Sequence, residues 1–323
     1  MKFTESQLQS FAAPLSTSEE ERCKNAIRMI RDAMKLLGYS DDNKEIRRYE
    51  EDTLAFALDL RSSTGNEITL LVQGSFANNT NVRTLSDVDV AVILESTFIP
   101  KYKAGITGKN YNFSDATFSV ASLKDDVESA LNKKFNNDGV ERKDKSIKIH
   151  GNSYRVNSDV VPSYRFRDYS SDYIISESNY VGGIEIRPDS GGSLRNYPEQ
   201  HIKNGRKKNN DTNYCFKKHV RIIKKMRQVM VENGYSSAGE VSSFGLESLL
   251  WNIPNNVYSK YQNIYRYTFD ELLIFLSSDF GNLDNYKEAN GIKPLFSASS
   301  KKGNYENFIT NLRSFYEYDI TEK

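Results

Sequence analysis

Residues 68–94 read ITLLVQGSFANNTNVRTLSDVDVAVIL, and this stretch decides the fold. It opens with a short apolar run that stops at a Gly-Ser pair, which predicts a buried strand entering a turn. A polar segment follows, and residues 86–94 then form a second apolar run rich in Val and Ile, which predicts a second strand. Two acidic residues, Asp87 and Asp89, lie at the start of this second strand.

Asp87 and Asp89 are separated by one residue, so in a strand their side chains point to the same face. Val88 between them points to the opposite, buried face. Two adjacent like charges repel unless a cation lies between them, and oxygen ligands of this kind suit Mg²⁺. Asp-x-Asp alone is a weak motif, but it is a stronger one on an apolar strand that follows Gly-Ser. The alternative is a surface hairpin whose carboxylates face water.

A third carboxylate, Asp159, lies in the segment VNSDVVPSYRF at residues 156–166. This segment predicts a strand next to the one that carries Asp87 and Asp89. Three acids can hold two metal ions about 4 Å apart, of which one lowers the pKa of an attacking hydroxyl. The other steadies a triphosphate and its leaving pyrophosphate. The pattern therefore predicts metal-dependent nucleotidyl transfer, carried by positioning and charge neutralisation.

Gly74 and Ser75 fit the same chemistry, because they stand where the first strand ends. Glycine lets the backbone approach a phosphate closely, and amides exposed after a strand end can form an anion-binding cradle. Ser75 adds a hydroxyl donor. We therefore expect both residues to contact the phosphates of a nucleotide.

The rest of the chain alternates between helical and strand-like patterns, with helices at both ends. We predict helices at 18–37, 44–60, 122–135, 216–231, 242–251, within the 260s and 270s, and at 305–316. We predict further strands at 144–150 and 153–161, joined as a hairpin, and around 173–175 and 183–186. The order predicts an α+β fold with N-terminal helices at 1–62, a mixed-sheet catalytic core at 63–195 and a helical lobe at 196–323.

Composition narrows the class of protein. The 323 residues carry a net charge of +1, so no global charge favours nucleic acid or membrane surfaces. Two distant cysteines and the lack of a long apolar run predict a cytoplasmic protein without a membrane span. One local basic run suits phosphates, although a solvated helix face would explain it equally well. Its members are Lys203, Arg206, Lys207, Lys208, Lys217, Lys218, Arg221, Lys224, Lys225 and Arg227.

The stretch QGSFANNTNVRTLSDVDVAVIL at 73–94 resembles the active-site segment of polymerase-β-like nucleotidyltransferases. More narrowly, it is similar to the bacterial cGAS/DncV-like nucleotidyltransferases, which share Gly-Ser, a polar turn, Asp-x-Asp and a later third acid. The segments DVVPSYRFR (159–167), NYPEQHIKNG (196–205) and SSFGLESLLWNIP (242–254) are also similar to that family. The resemblance covers about residues 65–255, and the first 60 residues fit only by pattern.

The resemblance implies a role for each matching position. The triphosphate would be held by Gln73, Gly74 and Ser75, and two Mg²⁺ ions by Asp87, Asp89 and Asp159. On the helical side, the resemblance implies phosphate contacts from Lys224 and Ser243, and a base-stacking role for Phe244. From the residues alone, Lys224 could equally belong to a solvated helix face, and an aromatic residue such as Phe244 is more often part of a core.

The implied activity is synthesis of a cyclic di- or trinucleotide messenger from nucleoside triphosphates, ATP among them, in bacterial anti-phage (CBASS) signalling. The implied partners are a regulatory protein and a downstream effector, with no requirement for nucleic acid or a membrane. Two other classes remain open. One is a template-independent transferase that acts on an RNA end or a protein, and the other is a non-catalytic nucleotide-sensing module.

Overall fold

The computed structural model describes residues 2–42, 44–51, 53–82, 87–116, 122–261, 264–297 and 299–318. The strands are β1 (Lys2–Phe3), β2 (Tyr39–Ser40), β3 (Arg47–Arg48), β4 (Phe56–Ser62), β5 (Glu67–Gln73), β6 (Val88–Lys101), β7 (Val140–Arg142), β8 (Ile147–Ile149), β9 (Ser158–Asp168), β10 (Val181–Ile186), β11 (Leu194–Asn196) and β12 (Glu317–Tyr318). The protein combines a mixed sheet with helices, which confirms the predicted α+β class.

The helices are α1 (Glu5–Ala12), α2 (Thr17–Lys35), α3 (Gly74–Ala77), α4 (Leu123–Phe135), α5 (Pro198–Asp211), α6 (Cys215–Glu232), α7 (Ser236–Gly239), α8 (Ser243–Asn252), α9 (Asn255–Ser259), α10 (Tyr265–Ser278) and α11 (Ser299–Phe315). Short 3₁₀ helices lie at Gly108–Tyr111, Asn137–Gly139 and Phe280–Asn285. The helices predicted at 18–37, 122–135, 216–231 and 242–251 are confirmed by α2, α4, α6 and α8.

The chain divides into two compact units. The sheet unit contains residues 17–77 and 86–199, and the helical unit contains 1–16, 78–85 and 200–323. The first 62 residues, which the sequence groups as one N-terminal segment, are therefore shared between the two units. Residues 78–82 are a short inserted segment that belongs with the helices, although residues 17–77 before it and 87–199 after it belong with the sheet.

The central sheet of the sheet unit runs in the order β11-β10-β9-β6-β5-β4-β2. Its neighbours β5 and β6 pair antiparallel, whereas β6 and β9 pair parallel, so the sheet is mixed. Val88, Val90 and Val92 of β6 are fully buried. Burial of each such side chain contributes about 2 kcal/mol, so this apolar run fixes the strand in the middle of the sheet.

Two predicted elements are wrong. The helix predicted at 44–60 is replaced by β3 and β4, because β4 pairs with both β3 and β5 and gains sheet hydrogen bonds that a lone helix would lack. The strand predicted around 173–175 is a bend that precedes β10. The predicted hairpin is present as an antiparallel pair of β8 with β9, with its second strand starting at Ser158. Ser86, the first residue of the strand predicted at 86–94, lies outside the described residues.

The helical unit is built around α6. Phe216, Val220, Ile223 and Met230 form an apolar stripe along α6, and all four are fully buried. They pack in one core with residues of α1, α8, α10 and α11. Among the described residues, no helix combines the length and apolarity that a membrane span requires.

His219 on α6 makes the helical unit sensitive to acid. Burial lowers the pKa of His219 to about 4, and the hydrogen bond from its Nδ1 to the Cys215 carbonyl oxygen offsets this only in part. Because the pKa is below the unfolded value of 6.5, stability is complete above pH 6.5 and is lost as the pH falls toward 4. Between pH 7 and pH 5 we expect this residue alone to remove about 2 kcal/mol from the free energy of unfolding.

The measurement is the free energy of unfolding at both pH values for wild type and His219→Gln. The variant should lose less stability on acidification than wild type, by about that amount. The exposed His150, changed to Gln, serves as the control and should leave the pH dependence unaltered. Equal pH dependence in all three proteins would contradict the assignment to His219.

Candidate active site

The three predicted carboxylates lie on neighbouring strands of the sheet unit. Asp89 on β6 is the direct register partner of Asp159 on β9 in their parallel pairing. Partners in adjacent strands lie about 4.8 Å apart and present their side chains on the same face. Asp87 comes directly before β6, two residues from Asp89. The structure therefore confirms the prediction that the third acid lies on a strand next to the first two.

Within the acidic cluster, the surroundings of Asp89 disfavour the charged form of its carboxyl group. Burial, together with the nearby negative charges of Asp159 and Asp87, raises the pKa of the Asp89 carboxyl to about 7. A carboxylate that is buried beside two others is stable only when a cation or a proton neutralises it. This is the electrostatic environment that a divalent cation would relieve.

Two side chains that the sequence did not single out flank the cluster. Lys148 on β8 places its Nζ 3.0 Å from Asp87 Oδ2, and this hydrogen bond is the largest cause of the raised pKa of the lysine. Ser146 donates from Oγ to Asp159 Oδ1 at 3.3 Å. The available signal was the hairpin itself, because β8 pairs with β9 and Lys148 is the register partner of Asp159.

Gly74 and Gln73 stand at the edge of the same cluster. Gln73 ends β5 and is the register partner of Asp89. Gly74 has a φ of +72°, and a Cβ at this position would overlap the Asp89 carboxylate. Both the backbone conformation and the close approach therefore require glycine. Ser75 follows in α3, so the predicted Gly-Ser turn leads directly from the strand into a short helix.

The helical unit holds the other three predicted residues. Lys224 is 5% exposed and lies in an ion pair with Glu247, with 2.8 Å between Nζ and Oε2. Ser243 and Phe244 begin α8 and are exposed, Phe244 at 39%. One edge-to-face contact joins the rings of Phe244 and His201, with centroids 5.2 Å apart. Phe244 is thus a surface aromatic, as a base platform requires, whereas Lys224 is part of the interior.

Comparison with known proteins shows to which family the chain belongs. A family model described as the cGAS/DncV-like nucleotidyltransferase C-terminal helical domain matches residues 203–317. The chain is also 44% identical to the cyclic GMP-AMP synthase CdnE03 of Staphylococcus schleiferi, over 100% of this chain and 99% of that protein. The chain belongs to the cGAS/DncV-like nucleotidyltransferases. The resemblance seen in the sequence is therefore confirmed.

Solved structures of related nucleotidyltransferases share the fold. The Elizabethkingia meningoseptica CdnE cyclic dinucleotide synthase, solved with GTP and Apcpp, matches with a TM-score of 0.73 at 29% identity, over 97% of this chain and 99% of that one. The Rhodothermus marinus CdnE c-UMP-AMP synthase, solved with Apcpp and Upnpp, matches with a TM-score of 0.75 at 26% identity, over 96% of each chain.

The residues of this nucleotidyltransferase fit a divalent cation by their chemistry. Asp89 and Asp159 are register partners on adjacent strands, and burial, with added repulsion from Asp159 and Asp87, raises the pKa of the Asp89 carboxyl. Within the described part of the chain, no three His, Cys, Asp or Glu side chains are already arranged as a metal cage. Ligation by Asp87, Asp89 and Asp159 remains a prediction.

Proposed function

We propose that this nucleotidyltransferase joins nucleoside triphosphates into a cyclic dinucleotide, with the chemistry centred on Asp87, Asp89 and Asp159. The observation that supports the proposal is the register pairing of Asp89 with Asp159, with Asp87 two residues before Asp89 along the chain. The full-length similarity to a cyclic GMP-AMP synthase supports the same reaction class.

Each transfer forms one phosphodiester bond. The oxygen of a ribose hydroxyl on one nucleotide attacks the α-phosphorus of a second, the bond between the α- and β-phosphates breaks, and pyrophosphate leaves. The hydroxyl proton passes to solvent. A second transfer within the linear product closes the ring and releases a second pyrophosphate. We propose that the same site performs both steps in turn, as positioning and charge neutralisation dominate this chemistry.

The three acids would hold two Mg²⁺ ions, which supply a lowered pKa for the attacking hydroxyl and neutralise the leaving pyrophosphate. Asp89 and Asp159 are fixed by the strands on which they lie, so they need no reorganisation at the moment of reaction. Lys148 holds Asp87 by a 3.0 Å hydrogen bond and neutralises one negative charge of the cluster.

Nucleotide contacts are proposed for residues of each unit separately. In the sheet unit, we propose that Gln73, Gly74 and Ser75 contact the triphosphate, which Gly74 allows by carrying no side chain. In the helical unit, the exposed Ser243 and Phe244 are available for a phosphate and a base. The assignment of Lys224 to a phosphate contact stays a prediction. The ammonium group of Lys224 already lies in a buried ion pair with Glu247.

The experiment uses purified protein, Mg²⁺ and the four nucleoside triphosphates in pairs, each labelled at the α-phosphate. We expect a small product that resists phosphatase, with ATP and GTP as the first pair to test, as suggested by the name of the Staphylococcus schleiferi relative. Mass spectrometry gives the product's bases, and nuclease digestion distinguishes 2′–5′ from 3′–5′ linkages. Removal of divalent cations by EDTA should abolish the product.

Two outcomes would support other functions. Long ladders on an added RNA would indicate a transferase that extends RNA ends. Binding of triphosphates without any product, with every pair and with lysate from phage-infected cells added, would indicate a nucleotide-sensing module. For the cyclic product, we propose a role in anti-phage (CBASS) signalling, with a regulatory protein and a downstream effector as partners and the cytoplasm as location.

A further inference from the structure

Glu247 is a buried carboxylate of the helical unit to which the proposed reaction assigns no role. It lies on α8 and is 1% exposed. Burial acts to raise the pKa of Glu247, but the Lys224 ammonium and the His201 ring outweigh burial and hold the pKa well below its ordinary range. A buried charge is costly, and replacement by apolar residues is often neutral or stabilising, so its presence calls for a specific role.

One carboxylate oxygen of Glu247 holds the inserted segment 78–82. Oε2 accepts hydrogen bonds from Thr80 Oγ1 at 2.6 Å and from Lys224 Nζ at 2.8 Å. This segment follows the Gly-Ser turn along the chain and precedes Asp87. Arg221 strengthens the anchor, because its guanidinium donates to the carbonyl oxygens of Asn79 and Ala12.

The other carboxylate oxygen of Glu247 holds His201. Its Oε1 lies 2.8 Å from His201 Nε2, and the His201 ring meets Phe244 edge to face. Asn78 places its Nδ2 3.3 Å from the same ring, so the segment and the histidine are also joined directly. The buried Glu247 side chain therefore orients both the inserted segment 78–82 and, through His201, the Phe244 ring that is proposed to stack on a base.

The contacts of Lys224 agree with an anchoring role. An ammonium group has three N–H donors. Nζ of Lys224 donates to the Thr80 carbonyl oxygen at 3.1 Å, to Thr80 Oγ1 at 3.2 Å and to Glu247 Oε2 at 2.8 Å. All three donors are thus used inside the helical unit, and none remains for a phosphate.

We propose that Glu247 is a positioning residue for nucleotidyl transfer and that Lys224 acts through Thr80 and Glu247. One oxygen of Glu247 accepts a hydrogen bond from Thr80 in the segment 78–82, and the other lies against the His201 ring that supports Phe244. The proposal rests on the proposed function, because positioning is measured through the reaction that it serves.

The first test is Thr80→Val, which removes one hydroxyl and keeps the shape and charge of the site. Because the segment would lose its hydrogen bond to Glu247, we expect kcat to fall at least about tenfold, since displacements near 1 Å can cost a hundredfold. His201→Ala should mainly raise KM, because it removes the ring contact that supports Phe244 and keeps the hydrogen bonds of Thr80 with Glu247 and Lys224. This split between kcat and KM is not expected from a general loss of stability.

The second test neutralises the ion pair with Glu247→Gln and Lys224→Met together, which avoids a lone buried charge. We expect both a lower kcat and a higher KM. Leu276→Ala on α10 is the matched control, because this fully buried residue lies in the same unit and its truncation costs about 2–5 kcal/mol. Assayed well below its melting temperature, the control should keep wild-type kcat and KM.

A double-mutant cycle decides how Lys224 acts. If Lys224 acts through Thr80, the losses in kcat/KM for Lys224→Met and Thr80→Val should not add. A direct phosphate contact predicts additive losses. It also predicts that Lys224→Met weakens binding of Apcpp but not of adenosine, both measured by calorimetry.

The outcomes separate the two proposals. A wild-type protein that makes no product from any pair of triphosphates would remove the proposed function. An active wild type whose Thr80→Val and Glu247→Gln/Lys224→Met variants keep wild-type kcat and KM would overturn the positioning role alone. Additive losses in kcat/KM, together with weaker binding of Apcpp but not of adenosine, would show instead that Lys224 contacts a phosphate directly.

Discussion

Replacement of Asp87 and Asp89 together by Asn should abolish product formation and leave the protein folded. The two substitutions remove carboxylates that would bind the metal ions, which contribute several kcal/mol to transition-state stabilisation. Since each 1.36 kcal/mol corresponds to a factor of ten, we expect activity to fall at least about 1000-fold. The melting temperature should stay equal or rise, because a neutral amide at position 89 costs less to bury than a carboxylate and does not repel Asp159.

Activity is measured with α-labelled triphosphates and stability by thermal unfolding in EDTA. Asp59→Asn is the matched control, because Asp59 lies on β4 of the same sheet, is exposed and pairs with Arg47. It should change neither quantity, in line with the small contribution of surface ion pairs. Retained turnover in the double variant would show that the three carboxylates are not the catalytic centre.

Gly74→Ala should reduce both activity and stability, for two separable reasons. The φ of +72° disfavours a side chain by about 1–2 kcal/mol. A Cβ would also overlap the Asp89 carboxylate, so the Asp89 side chain, which we propose to be catalytic, would have to move. Displacement of a reacting group by about 1 Å can cost a hundredfold in rate, and we expect a loss of kcat of about that size.

Gly65→Ala separates the two effects of the Gly74 substitution. Gly65 lies in the turn between β4 and β5, has a φ of +86° and has nothing within 4 Å of a built Cβ. This control should lose about 1–2 kcal/mol of stability and keep wild-type kcat. If both variants lowered kcat equally, backbone strain rather than contact with Asp89 would be the cause.

The carboxylate site was predictable because its information is local. A period of two in residues 87–90 determines which side chains share a face, and an acid pair inside an apolar strand requires a cation. The register that joins Asp89 to Asp159 is not local, since parallel pairing between distant segments depends on the whole sheet. The sequence could therefore indicate a neighbouring strand for Asp159 but not its exact partner.

The predictions that failed also depended on contacts between segments that are distant in the sequence. Residues 44–60 contain good helix formers, yet sheet pairing of β4 with β3 and β5 overrides this propensity. Glu247 was not predicted as a functional residue, because its partners lie on other helices and in the inserted segment. The available signal was a single acid within the apolar run LESLLW of α8, which implies a buried cationic partner without identifying it.

The parallel pairing of β6 with β9 also constrains how the protein is made. Closure of the chain between residues 89 and 159 is entropically costly, and contacts of such long sequence separation slow folding. During synthesis, Asp87 and Asp89 leave the ribosome well before β9, the strand that carries Asp159. If Asp159 has the role proposed for it, a nascent chain should not consume triphosphates until β9 has emerged and paired, so catalytic competence would arise late in translation.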